Sequence, residues 1–126
     1  YNPLNATGML KLNHKKIQAW QLSIELVTLI YHITAAFPKE ESYGIVSQMR
    51  RAAISIPSNI AEGSSRVKIK ERTRFLEIAR SSLVELDTQI IIAQNLGFLS
   101  VDNSGEVEPK INSVFALLSK MMNTHK

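Results

Sequence analysis

The chain has 126 residues, a length at which one domain buries a sizeable core without needing a disulfide or a structural metal. Hydrophobic residues make up 44% and charged residues 21%, which excludes a disordered chain, and the lack of cysteine excludes disulfide scaffolds and Cys-ligated zinc or iron–sulfur sites. The net charge is +4, and every arginine lies within residues 48–80, so the charge distribution points to an anionic partner.

Targeting signals and membrane spans are not visible in the sequence. No basic start followed by an apolar run marks a signal peptide, and the apolar stretch from Leu26 to Ile33 is too short to cross a bilayer. We therefore expect a cytoplasmic protein that does not insert into a membrane. Residues 1–13 are expected to form a flexible lead-in, and residues 14–126 the folded domain.

The first helix is predicted from about His14 to Phe37, where Pro38 stops it. Its apolar residues recur at steps of three and four and form one stripe: Ile17, Trp20, Ile24, Val27 and Tyr31. Further apolar residues widen this stripe, so the first helix is expected to be buried on more than one side.

The second helix is predicted from about Ser42 to Glu62. Pro57 lies inside it and cannot donate a hydrogen bond to the carbonyl of Ala53, so we expect a kink near Ala53. Gly63 is expected to end this helix as a left-handed cap.

The third helix follows a polar connection from Ser64 to Ile69, with Ser64 or Ser65 as its cap, and it ends at Leu96 before Gly97. The fourth is predicted to begin with a cap at Asp102 or Ser104 and to reach Met122. No segment alternates apolar and polar residues at period two. The sequence therefore predicts an all-α, up-and-down antiparallel four-helix bundle, with the second helix kinked at Pro57.

Several motifs between residues 14 and 100 together resemble one known family. They are Trp20-Gln21, Phe37-Pro38, Glu41, Tyr43-Gly44, the run from Gln48 to Gly63, and the stretch from Phe75 to Leu99. The chain resembles the four-helix-bundle proteins encoded by intervening sequences inside bacterial 23S ribosomal RNA genes. One departure is Ser81-Ser82-Leu83, where that family has Gly-Ser-Leu.

The resemblance implies a helical bundle that forms a ring-shaped homo-oligomer, a pentamer, and it implies no established biochemical activity. A related bundle is the accessory subunit of diversity-generating retroelements, which contacts nucleic acid and reverse transcriptase through a basic surface. The likeness to that subunit is one of architecture alone.

The candidate nucleic-acid-binding residues are all basic: Arg50, Arg51, Arg66, Lys68, Lys70 and Arg74. Arg66, Lys70 and Arg74 are four residues apart and would share one face if the third helix began early. Since the two arginines at 50 and 51 and this group flank Gly63, we expect them to converge on one end or side of the bundle. Such a patch would bind RNA or DNA phosphates without sequence specificity.

Two other interpretations of these basic residues stay open. They also fit a solvated helix surface, with Arg74, Glu77 and Arg80 forming intrahelical ion pairs. Alternatively, one of the two adjacent arginines reaches a carboxylate, such as Glu62 or Glu85, within or between subunits.

Catalytic and metal-binding constellations are weak in this sequence. Ser55, Ser58, Asn59 and Glu62 surround the proline, where we expect them to satisfy backbone groups rather than to catalyse a reaction. No histidine follows a glutamate at the spacing of helical di-iron sites. We therefore expect no enzyme activity, no cofactor, no metal and no small-molecule substrate.

The third helix carries more apolar surface than one bundle stripe requires, including Phe75, Ile78, Ile91 and Ile92. This excess predicts a subunit interface, with a wider intramolecular core as the alternative. The sequence thus favours a self-assembling bundle that binds structured RNA or DNA electrostatically. The alternatives are a protein-binding assembly module without nucleic-acid binding, an accessory subunit of a nucleic-acid-processing complex, and a nuclease.

Overall fold

The computed structural model describes Gly8 and residues 12–124, without the side chains of Lys15, Lys16 and Thr124. These residues form four α-helices and no strand: α1 (Gln18–Thr34), α2 (Ile45–Ser64), α3 (Ile69–Asn95) and α4 (Val107–Thr124). Short 3-10 turns occupy Asn13–Lys16, Lys39–Glu41 and Asp102–Ser104. The predicted lead-in, residues 1–13, lies almost entirely outside the described residues.

The four helices form a bundle in which each packs against two others. The contacts follow the order α1, α2, α3, α4 and back to α1. Consecutive helices are antiparallel, because the end of α1 meets the start of α2 at Thr34 and Arg50, and the end of α2 meets the start of α3 at Gly63 and Phe75. The predicted all-α bundle is confirmed, and the α1/α2 and α3/α4 pairs lie on opposite sides of it.

The core is built from all four helices, but the stripe predicted for α1 is not its buried face: Trp20, Ile24 and Val27 are only half-buried, and Tyr31 is exposed. The fully buried large side chains of the core come from all four helices: Leu26 and Ile30, Met49, Ile56 and Ile60, Leu83 and Leu86, and Val107, Val114 and Leu118. Burying a leucine or isoleucine side chain contributes about 1.5–3 kcal/mol each, so these side chains supply the main stabilisation of the fold.

Several helix boundaries differ from the predicted ones. α1 begins at Gln18 rather than near His14, and it ends at Thr34 rather than Phe37. The proposed serine caps of α3 are wrong, because the hydroxyls of Ser64 and Ser65 donate back to α2 carbonyls. The proposed caps of α4 are also wrong, since Asp102 and Ser104 lie in a 3-10 turn before its start at Val107.

Pro57 and Gly63 both lie inside α2. The helix runs unbroken through Pro57 to Ser64, and the bend near Ala53 stays a prediction. The left-handed cap at Gly63 is wrong, because Gly97 is the only described residue with a positive φ. Gly63 is buried against α3, where a Cβ would lie 3.1 Å from the Cβ of Phe75 and 3.2 Å from the carbonyl oxygen of Arg72. Glycine is thus required for close helix approach.

Gly97 ends α3 as predicted, and its φ of 79° places it in the left-handed region. The N–H of Gly97 donates to the carbonyl of Gln94, and the N–H of Phe98 donates to that of Ala93, which is the Schellman arrangement. Phe98 then packs on Phe37, with ring centroids 5.8 Å apart. The cap therefore also seals the end of the bundle where α2 begins.

Candidate functional site

The predicted basic residues after α2 lie in residues 66–74, the connection to α3 and the start of that helix, which we call the basic turn. Lys68, Lys70 and Arg74 are exposed there and form no hydrogen bond or ion pair with the described part of the chain. Arg66 differs, because its Nη2 lies 3.0 Å from Oε2 of Glu62 and its guanidinium lies over the Phe75 ring at 5.0 Å. Three exposed cationic side chains are therefore available to an anionic ligand.

The predicted basic helix face is only partly formed. α3 begins at Ile69, so Arg66 lies before it and cannot share its face with Lys70 and Arg74. The predicted pairs of Arg74, Glu77 and Arg80 are also not formed, since the ion pair found among the described side chains joins Arg66 to Glu62. Arg80 instead reaches α4, where its Nη1 donates to the Ser119 hydroxyl at 3.3 Å.

Arg50 and Arg51 lie near the opposite end of α2 and have different surroundings. Arg50 is half-buried: its Nε donates to Oγ1 of Thr34 at 3.0 Å, its Nη2 to the carbonyl of Tyr31 at 3.3 Å, and its guanidinium lies 4.4 Å from the centre of the Tyr31 ring. Arg51 is exposed and has no such partner among the described residues.

The structure therefore does not bring the two predicted basic groups together. Sixteen residues of mostly helical rise separate Arg50 from Arg66, or about 20 Å along α2. Neither Arg50 nor Arg51 meets a carboxylate within the described chain. Arg50 instead holds the carboxyl end of α1, where a positive charge also suits the helix dipole.

A polar network joins α2 to α3 at the predicted cluster around Pro57. Nδ2 of Asn59 donates to the carbonyl and the hydroxyl of Ser55, at 2.7 and 2.9 Å, and the Ser55 hydroxyl lies 2.9 Å from that of Ser82. The structural interpretation of Asn59 is supported, whereas Glu62 pairs with Arg66. The departure from the family pattern falls on Ser81, which is exposed and outside this network.

An open groove of about 530 Å³ runs between α3 and α4. Its exposed apolar residues are Val84, Ile91, Val101 and Phe115, and the carboxylates of Asp87 and Glu108 also line it. No lysine or arginine is among its described lining residues. The apolar excess of α3 is visible in the sequence but this groove is not, because its two carboxylates come from separate helices.

A second apolar surface, the α1/α2 face, lies on the opposite side of the bundle. It is a shallow groove of about 420 Å³ between Trp20, Ile24 and Val27 of α1 and Ile54, Pro57 and Ala61 of α2. Arg51 lies one turn before Ile54 on the exposed side of α2. The i, i+3, i+4 pattern predicted these α1 residues, but it assigned them to the core.

Within the described part of the chain, no three histidine or acidic side chains come together where they would hold a metal ion. No helix in the same part combines the length and the apolar character that crossing a bilayer requires.

Comparison with known proteins gives one match. A family model described as 23S rRNA-intervening sequence protein matches residues 15–120, which is most of the chain. No curated protein matches.

Proposed function

Because the chain belongs to the family of 23S rRNA-intervening sequence proteins, we propose that it is a non-catalytic helical bundle that assembles with copies of itself. One observation carries this proposal: two apolar surfaces, the α1/α2 face and the α3/α4 groove, lie on opposite sides of the bundle and are covered by no described residue. Contiguous apolar surface of this kind marks interaction sites.

The position of the two surfaces supports a closed assembly. A copy with one contact surface forms a dimer, whereas a copy with two surfaces on opposite sides contacts two neighbours, and the repeated contact closes into a ring when the rotation allows it. The family resemblance implies five copies. We propose that this ring lies in the cytoplasm, because a cysteine-free chain is suited to its reducing conditions.

Light scattering on a size-exclusion column tests the proposal. The chain has a mass of 14.1 kDa, so a pentamer would elute with about 70 kDa, and dilution would shift the mass toward the single chain. A mass of one chain at every concentration up to roughly 0.1 mM would contradict self-assembly.

A second candidate function is electrostatic binding of RNA or DNA by the basic turn. It is favoured by the three exposed cations without a partner, Lys68, Lys70 and Arg74, in a turn whose charged residues carry five positive and one negative charge. In a ring whose copies all point the same way, the turns would lie at one rim, and repeated weak contacts would add as avidity.

A mobility shift with duplex RNA tests this second function. Binding is expected to weaken steeply between roughly 50 and 200 mM salt, because salt competes with the contacts to phosphates. A chain that assembles but shifts no RNA or DNA would instead support the alternative of a protein-binding assembly module.

A further inference from the structure

We propose that the contact between copies is head-to-tail: the α1/α2 face of one copy docks on the α3/α4 groove of the next, and Arg51 pairs with Asp87 across it. This inference rests on the proposed self-assembly. It adds which surface contacts which, and it names the charged pair that fixes the orientation of the two copies.

The register of α2 against α3 sets the heights of the residues concerned. The hydroxyls of Ser55 and Ser82 are 2.9 Å apart, so these two residues lie at the same height along the bundle. Because the helices are antiparallel and rise equally per residue, Ile54 is level with residues 83–84, and Arg51 is level with residues 86–87. Arg51 and Asp87 thus share a height but lie on opposite sides of the molecule.

This match in height is what a cyclic assembly requires. A rotation axis parallel to the helices keeps each residue at its own height, so it brings the α1/α2 face of one copy to the α3/α4 groove of its neighbour without sliding. Ile54 then meets Val84, whose exposed fractions in the single copy are 43% and 55%. The apolar and the charged parts of the two surfaces correspond in the same register.

The charges of the two surfaces are complementary. Asp87 and Glu108 line a groove without a described lysine or arginine, and the neighbouring surface offers Arg51, which has no hydrogen bond or ion pair within the described chain. An ion pair at such a rim adds little affinity, but it penalises a neighbour that docks with like charges facing. The Arg51–Asp87 pair therefore fixes the orientation of the two copies, and the apolar residues provide most of the affinity between them.

Two variants, each blocked on one surface, test the docking mode. Ile54→Asp places a charge on the α1/α2 face, and Val84→Asp places one in the α3/α4 groove. Each variant alone is expected to lose the assembled state. Mixed in equal amounts, they keep one intact α3/α4 groove and one intact α1/α2 face, so a complex of two chains, twice 14.1 kDa, is expected in light scattering.

The outcomes separate the docking mode from self-assembly itself. A parent chain that is monomeric overturns both. A parent that assembles while either variant keeps its full mass, or a mixture without a two-chain complex, overturns head-to-tail docking and leaves self-assembly intact. Circular dichroism checks folding, and Ile91→Asp, in the same groove, replaces Val84→Asp if helix content falls.

Reversal of the charged pair tests the role of Arg51. Arg51→Asp and Asp87→Arg alone should each weaken assembly several-fold, because like charges then face each other. The chain that carries both substitutions should recover most of the loss. A double variant that keeps its helix content but does not recover assembly would contradict the Arg51–Asp87 pair.

Discussion

The hydroxyl oxygens of Ser55 in α2 and Ser82 in α3 lie 2.9 Å apart, and this contact fixes the register of the two helices. The Ser82 hydroxyl lies within donor distance of both the Ser55 hydroxyl and the carbonyl of Ile78, 3.0 Å away, and Nδ2 of Asn59 donates to the Ser55 hydroxyl. A slip by one residue would break this half-buried contact, so the network specifies the register on which the docking geometry depends.

Removal of this hydroxyl pair is expected to destabilise the bundle. Ser82→Ala should lower the free energy of unfolding by about 1 kcal/mol, since the Ser55 hydroxyl loses its partner in a partly buried position. Unfolding in urea at one fixed protein concentration measures the change, because assembly adds stability that depends on concentration. The matched control is Ser81→Ala, an exposed neighbour, which should change little. Equal effects at Ser81 and Ser82 would argue against the network.

Helix number and much of the core followed from the sequence, because an apolar stripe on a helix is usually buried. α1 is the exception, since it is apolar on two faces and buries Leu26 and Ile30 rather than the predicted stripe. The function of Gly63 did not follow. A glycine near a helix end fits both a left-handed cap and close helix approach, and only the position of Phe75 in another helix distinguishes them. α3 likewise begins at Ile69 without a capping side chain, so no cap signal in the sequence marks its start.

The candidate surfaces were predictable to different degrees. The basic turn follows from charge in one segment, whereas the convergence with Arg50 failed because Arg50 lies about 20 Å away along α2 and donates to Thr34. The α3/α4 groove joins Asp87 to Glu108, 21 residues apart in sequence. Nothing in the linear pattern places those two carboxylates beside each other.

Gly63→Ala is expected to destabilise the bundle by about 1 kcal/mol. Alanine improves helix propensity by roughly 1 kcal/mol, but overpacking costs about 1–3 kcal/mol, and here the new methyl group meets a Cβ and a backbone oxygen, which have little freedom to move. Gly105→Ala is the control, since a Cβ there has its nearest contact at 3.4 Å. A higher urea midpoint for Gly63→Ala than for the parent would contradict the close-approach account.

The two adjacent arginines should respond differently to truncation. Arg50→Ala is expected to lower the free energy of unfolding by about 1–2 kcal/mol, because Thr34 and Tyr31 lose charge-assisted donors. Arg50→Lys should recover only part, since lysine cannot reproduce the planar fork. Arg51→Ala is the control. Measured in the Ile91→Asp background, where assembly should not contribute, it should change stability by less than about 0.5 kcal/mol. Equal losses at both positions would contradict their different roles.

Charge reversal in the basic turn tests the nucleic-acid function. Lys68→Glu with Lys70→Glu should weaken binding of duplex RNA. The slope of log affinity against log salt concentration should become shallower by about one per lost phosphate contact. Lys39→Glu with Lys110→Glu makes the same change in net charge near the other end of the bundle, beside the starts of α2 and α4. Binding that weakens equally in both variants would indicate a response to net charge rather than a site at the turn.

Assembly through the α3/α4 groove is tested most directly by the masses in solution of two variants at neighbouring positions. Ile91 and Ile92 are 49% and 44% exposed, but only Ile91 lines the α3/α4 groove. By light scattering, Ile91→Asp should have the mass of one chain, 14.1 kDa, whereas Ile92→Asp should keep the mass of the assembled parent. Equal masses for the two variants would contradict assembly through the α3/α4 groove.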